Sequence, residues 1–116
     1  MSPNVRSLLV TVFLLLAGPA AAAEYRLETW AEGLDLPWSI AFLPDGSALV
    51  TELGGQLKHV DASGSNHRLV ENVPGVYFMG QGGLFDVVLH PDFPLNHLVY
   101  LSFAEGDEND NGIAVA

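Results

Sequence analysis

The chain has 116 residues, a formal net charge of −10 from fourteen Asp+Glu against four Lys+Arg, and no cysteine. That balance repels phosphate backbones and excludes nucleic acid as a natural partner, while the missing cysteines exclude a disulfide framework. With 49% hydrophobic residues, the chain is not a disordered tail either.

Residues 1–23 read as an export signal. Arg6 supplies the positive start, "LLVTVFLLLAG" (8–18) the apolar stretch, and "AAA" (21–23) the small-residue cleavage site. The apolar stretch is about half the ~20 residues that a spanning helix needs. Cleavage is therefore expected, giving a periplasmic or secreted product without a stable membrane anchor. About 93 residues then remain, beginning near Glu24. A domain of that size buries only ~60–65% of its unfolded surface. Residues 24–116 are accordingly expected to be the N-terminal part of a longer, truncated β-domain.

After the signal no sustained helical period appears. Short apolar or alternating runs are divided by Gly, Pro, Asp and Asn, the pattern of an all-β chain. "YRLETWAE" (25–32) alternates partly and is expected as a strand. "WSIAFLP" (38–44) ends in the turn "PDGS" (44–47), and "ALVTEL" (48–53) ends in "GG" (54–55). "QLKHVD" (56–61) and "HRLVENV" (67–73) complete a set of four closely spaced strands.

The pattern then restarts. "IAFLPDG" (40–46) aligns with "VVLHPDF" (87–93) at an offset of 47, and "ALVTE" (48–52) with "LVYLS" (98–102) at 50. A period of 40–50 residues with four short strands per unit is that of a β-propeller blade. A blade buries its faces only against its neighbours, so one and a half blades do not stand alone. In such a fold the innermost strand of each blade lines a central channel, and the loop leading into it lies at the rim. "GQGG" (80–83) leads into such a strand, "LFDVVLH". Its glycines allow a sharp bend or a close approach, and Gln81 offers both an amide donor and an acceptor. The spacing and Lys of a phosphate-binding loop are absent.

"LPWSIAFLPDGSALVTE", "GQGGLFDVVLHPDF" and "VYLSFAEGDENDNG" resemble the opening of the pyrroloquinoline quinone (PQQ)-dependent aldose sugar dehydrogenases, grouped with the glucose/sorbosone dehydrogenases. The resemblance runs from about residue 27 to the last residue. It implies a six-bladed β-propeller, of which this chain covers the closing strand, the first blade and part of the second. It also implies PQQ and calcium as cofactors, an aldose substrate oxidised to a lactone and an external electron acceptor. Gln81 matches the family glutamine that contacts PQQ. The family's catalytic histidine, calcium ligands and most cofactor clamps fall beyond these residues, so no catalytic or metal ligand is assigned in this chain. One departure is Leu53, where the family usually has Arg.

Other residues are set against plainer roles. His90 precedes a proline at the end of a strand and is expected to cap a turn; His59, His67 and His97 lie in turns or outer strands. Asp86 is acidic inside an apolar strand and is a candidate for the site. Asp107, Asn109, Asn111 and Gly112 match the first half of a calcium loop, whose twelfth position would fall beyond Ala116, and are expected to form a turn. Trp30 and Trp38 are expected in the interblade core. The alternative is an exported, non-enzymatic propeller used as a binding module, which could lack the channel-facing His, the Arg/Lys clamps and the calcium-binding carbonyls that an enzyme needs downstream. A propeller hydrolysing lactones at a metal would need an acid cluster at the rim, and none is seen in this sequence.

Overall fold

The computed structural model describes residues 22–116. The expected export signal lies almost wholly outside the described residues. Strands β1 (Pro37–Phe42), β2 (Ala48–Glu52), β3 (Gln56–Val60) and β4 (His67–Leu69) form one antiparallel sheet in the order β1-β2-β3-β4. Strands β5 (Leu84–Leu89), β6 (Val99–Gly106) and β7 (Asn111–Val115) form a second in the order β5-β6-β7. One helical turn, α1 (Phe93–Asn96), joins β5 to β6. The chain is all-β, as its punctuation by turn residues implies.

The turns follow from their residues. In "PDGS", Asp45 Oδ1 accepts from Ser47 N at 2.9 Å and from Ser47 Oγ at 2.5 Å. Gly46 supplies the positive φ of +86° that this reversal needs. The α1 turn ends at His97, whose left-handed φ of 55° lets its N–H reach Phe93 O at 2.8 Å.

The repeat seen in the sequence is present in the pairing, with one change of register. Phe42 opposes Ala48 in the first sheet, and Leu89 opposes Val99 in the second. The first strands are therefore 47 residues apart, as expected, but the second strands are 51 apart and not 50. The four residues of α1 account for the longer connection. Each first strand also carries a bulge at the same place, between Pro37 and Ser39 and between Leu84 and Val87. Each bulge is capped by a hydroxyl from the second strand: Ser39 N donates to Thr51 Oγ1 and Asp86 N to Ser102 Oγ, both at 3.0 Å.

One core lies between the sheets. Leu49 and Leu57 of the first pack with Leu84, Val87, Leu101 and Phe103 of the second. Each such burial contributes about 1.5–3 kcal/mol before chain entropy is counted. Both outer faces stay apolar as well. Trp38, Ile40 and Phe42 are exposed on one side, and Val88, Tyr100, Ile113 and Val115 on the other. A sheet apolar on both faces is built to be packed from both sides.

Two sequence expectations are corrected. Residues 25–32 form no strand, because among the described residues no neighbour offers them a ladder. β4 stops at Leu69 and not at 73, since Asn72 turns the chain with φ +58°. Trp38, expected in an interblade core, is 55% exposed on the outer apolar face of the first sheet, with its ring leaning on Phe85 at a centroid distance of 5.6 Å. Trp30 is half-buried against Phe42 and donates its indole N–H to Ala62 O at 3.1 Å.

Candidate functional site

The linker from β4 to β5 wraps the turn between β2 and β3, and the "GQGG" segment is its last part. Val76 closes over Gly55, where a Cβ would fall 2.9 Å from Val76 Cγ2. Tyr77 N donates to Ala104 O at 2.7 Å, and Gly82 N donates to Met79 O at 2.9 Å, which makes residues 79–82 a tight turn. Gly80 stands at its bend with φ +60°, a conformation costly for a residue with a Cβ.

Gly82 and Gly83 answer to a different need. A Cβ on Gly82 would lie 2.8 Å from Tyr77 O, and one on Gly83 would collide with the Leu53 carbonyl. Leu84 N donates to that carbonyl at 3.0 Å, and Ala104 N donates to Gly83 O at 2.8 Å. The close approach foreseen in the sequence therefore occurs, but the approaching group is the protein's own backbone. Leu53 contributes through its main-chain carbonyl, a group that any residue at that position would supply.

This packing leaves Gln81 exposed at the tip of the turn, at the end of the molecule where the first strands begin. Asp86, three residues beyond Gly83, is exposed within the bulge. Gln81 and Asp86 thus flank the start of β5, with the Trp38–Phe85 pair beside them.

Two further polar clusters were not foreseen. Glu52 is 2% exposed, and its Oε1 accepts from Lys58 Nζ at 2.7 Å and from Asp35 N at 2.6 Å. The pairing Pro37–Glu52 corresponds to Leu84–Phe103 in the second sheet, so a buried ion pair stands where the repeat otherwise places phenylalanine. No sequence signal marks it, because Glu and Lys six residues apart look like ordinary surface charges. The second cluster is Asp45–Ser47–His59, with His59 Nε2 3.0 Å from Ser47 Oγ. Ser47 gives its proton to Asp45, the reverse of an activated nucleophile. These hydrogen bonds to Ser47, side chain first and backbone second, hold the Asp45 carboxyl below its ordinary value.

The remaining candidates have local partners. His90 Nδ1 accepts from Asp92 N and from the Asn96 side-chain amide, each at 2.9 Å. Its ring proton is thereby placed on Nε2, and the residue pins the α1 connection. Asp107 Oδ1 accepts from Asn109 N at 2.8 Å and Asp110 N at 3.1 Å, bonds that depress its pKa and shape 107–112 into a hairpin turn. A polar depression lined by Thr29, Trp30, Glu32, Gly64, Ser65 and His67 sits by the β3–β4 turn, at the opposite end of the sheet from Gln81. Among the described residues no group of three or more His, Asp or Glu is placed to hold a metal ion.

The comparisons with known proteins meet this geometry directly. The family model described as Glucose / Sorbosone dehydrogenase matches residues 34–116. The chain belongs to that family. The aldose sugar dehydrogenase YliI of Escherichia coli (strain K12) is 44% identical over 98 residues, which are 83% of this chain and 26% of that protein. The crystal structure of the soluble aldose sugar dehydrogenase from Escherichia coli in its apo-form is similar, with a TM-score of 0.69 over 76% of this chain and 26% of that one. A structure of the PQQ-bound form of aldose sugar dehydrogenase from Streptomyces coelicolor is 37% identical, with a TM-score of 0.68 over 85% of this chain and 29% of that one. The chain thus spans about a quarter of the length of the relatives it matches. Its two sheets are part of a β-propeller, a first blade and part of a second, which accounts for two apolar faces on each. The relatives are sugar dehydrogenases by description, and the Streptomyces coelicolor neighbour is one in its PQQ-bound form. The described residues hold no helix long and apolar enough to cross a membrane.

Proposed function

We propose that this chain is the N-terminal part of an exported, six-bladed dehydrogenase that oxidises aldoses at the anomeric carbon to lactones, with PQQ as the oxidant and calcium beside it. Residues 1–23 would direct export, and the mature protein would act in the periplasm or outside the cell. The observation that carries the reading is Gln81 exposed on a turn locked by three glycines, in a chain of this family.

The residues present fit the cofactor in part. Gln81 offers an amide donor and acceptor on a rigid mount and would hold a polar quinone by a hydrogen bond. The carboxylates of PQQ call for cations, and the described ones are elsewhere: Lys58 is tied to Glu52, Arg26 to Glu28 at 2.8 Å, and Arg68 is on the outermost strand. Those clamps, the calcium ligands and the general base belong to the rest of the propeller in this reading. When bound, PQQ supplies the hydride acceptor. The part of this chain is to orient that group through Gln81 and to keep the turn from yielding to it. An external acceptor would take up the electrons released by the sugar.

The test uses the full-length protein reconstituted with PQQ and calcium and assayed by dye reduction with an aldose. Activity should require both additions, and Gln81→Ala should weaken PQQ binding about tenfold, as loss of one hydrogen bond to a polar ligand does. A well-folded full-length protein that takes up no PQQ would turn the reading toward a propeller used as a binding surface.

A further inference from the structure

We infer that Thr51 is a positioning residue for the Gln81 turn, acting across the boundary between the two sheets. The inference rests on the reading of Gln81 as a cofactor contact. The β5 bulge leaves Phe85 and Asp86 without partners in register on β6, between the pairs Leu84–Phe103 and Val87–Leu101. A carbonyl freed from its ladder still needs a donor if buried. Phe85 O finds one outside its own sheet, in Thr51 Oγ1 at 2.5 Å. The same hydroxyl oxygen accepts from Ser39 N at 3.0 Å, so one side chain caps the bulge of β1 and the bulge of β5 together. Thr51 is 0% exposed, and water has no access to replace it.

The residue next but one makes the second attachment. Leu53 O accepts from Leu84 N at 3.0 Å, directly beneath Gly83. Residues 84 and 85 are therefore both held by the end of β2, and the Gln81 turn hangs from that pair. The Leu53 attachment is main chain and survives substitution. The Thr51 attachment depends on a hydroxyl. Ser102 takes the corresponding place in the second sheet and caps Asp86 N in the same way, which shows what the hydroxyl does for its own blade. Thr51 does this and also reaches the next inner strand.

The experiment compares Thr51→Val and Thr51→Ser in the full-length protein, with Gln81→Ala as reference. Removing a buried donor should raise the Kd for PQQ about tenfold in Thr51→Val, while the aldose KM at saturating PQQ and calcium stays unchanged. Thr51→Ser should restore wild-type affinity. Amide hydrogen exchange at 80–86 should quicken in Thr51→Val, with β3 amides 56–60 unaffected. Thr51→Ala replaces the valine variant if that one does not fold. Unaltered PQQ affinity in Thr51→Val, alongside weakened binding in Gln81→Ala, would overturn the proposal. So would equal exchange at 80–86 in both proteins, whatever PQQ does. Wild-type PQQ affinity in Gln81→Ala would instead sink the reading of Gln81, and exchange at 80–86 would still decide the role of Thr51.

Discussion

Asp61 gathers most of the side-chain hydrogen bonds of the β3–β4 turn. Its carboxylate accepts from the Asn66 side-chain amide at 2.5 Å and from Ser63 Oγ at 2.7 Å, with Ser65 N at 3.1 Å as a further donor. These bonds, Asn66 first and Ser63 next, hold its pKa well below the ordinary 3.8. A depressed carboxylate favours the folded turn at every pH above about 3.8, and the contribution fades as pH falls through the lower folded value. Asp61→Asn should therefore lose stability near neutral pH and show a flatter acid limb in a pH series of thermal unfolding. An unchanged acid limb would remove Asp61 from the account. Glu52 and Lys58 make a buried counterpart. Removing one partner of such a pair strands a charge, so Lys58→Met should cost the full-length protein about 3 kcal/mol. The double variant Glu52→Leu with Lys58→Met should recover most of the loss, since the second sheet fills the equivalent place with Phe103. Urea unfolding of the three proteins measures both.

At the scale of elements, the informative unit is a strand pair with a bulge and a hydroxyl that caps it. It occurs twice, at Ser39 with Thr51 and at Asp86 with Ser102. An extra residue in a strand leaves an N–H without a ladder partner, and a side-chain hydroxyl from the facing strand supplies the acceptor. The glycines at 82 and 83 belong to the same mechanics, because they let the linker lie against Tyr77 and Leu53. Gly83→Ala would force the Leu53 carbonyl away from Leu84 N. That should cost about 2 kcal/mol in the full-length protein and quicken exchange of the Leu84 amide. Gly112 has open space about its Cα, so Gly112→Ala should be close to neutral in the same assay. Equal effects at the two positions would mean that close approach is not what Gly83 provides.

Across the whole molecule, the two sheets share one interface and keep two apolar faces in reserve. Trp38, Ile40 and Phe42 occupy the positions that in the second sheet are Phe85, Val87 and Leu89, residues that face the first sheet. Val88 and Tyr100 likewise correspond to Ala41 and Leu49, which face the second sheet. Exposed apolar patches of this kind bind dyes and other chains. Residues 24–116 expressed alone should therefore raise the fluorescence of a hydrophobic dye and elute in a concentration-dependent way. The full-length protein should do neither. A monomeric, dye-silent 24–116 polypeptide would contradict the packing argument.

Much of this was legible without coordinates. The all-β class, four strands from about 38 onward (with the last drawn too long, to 73), and a second unit about 47 residues on follow from alternation and from Gly, Pro and Asp at the turns, which are local effects of backbone geometry. The prominence of "GQGG" was legible too, because three glycines in four residues are costly unless the backbone needs them. Tertiary structure alone decided what approaches them, since the contact of Gly83 with Leu53 joins residues thirty positions apart on different sheets. The same holds for the buried Glu52–Lys58 pair and for Thr51, which reads as one more β-branched strand residue until its hydroxyl meets Phe85 O. The offset of 51 was likewise hidden, because only hydrogen-bond register shows that α1 adds four residues. The sequence by itself determined which segments extend and where they turn, because those depend on each residue and its near neighbours. Which polar atoms pair across sheets, and so what holds Gln81 in place, depends on packing between distant segments and was decided only by the fold.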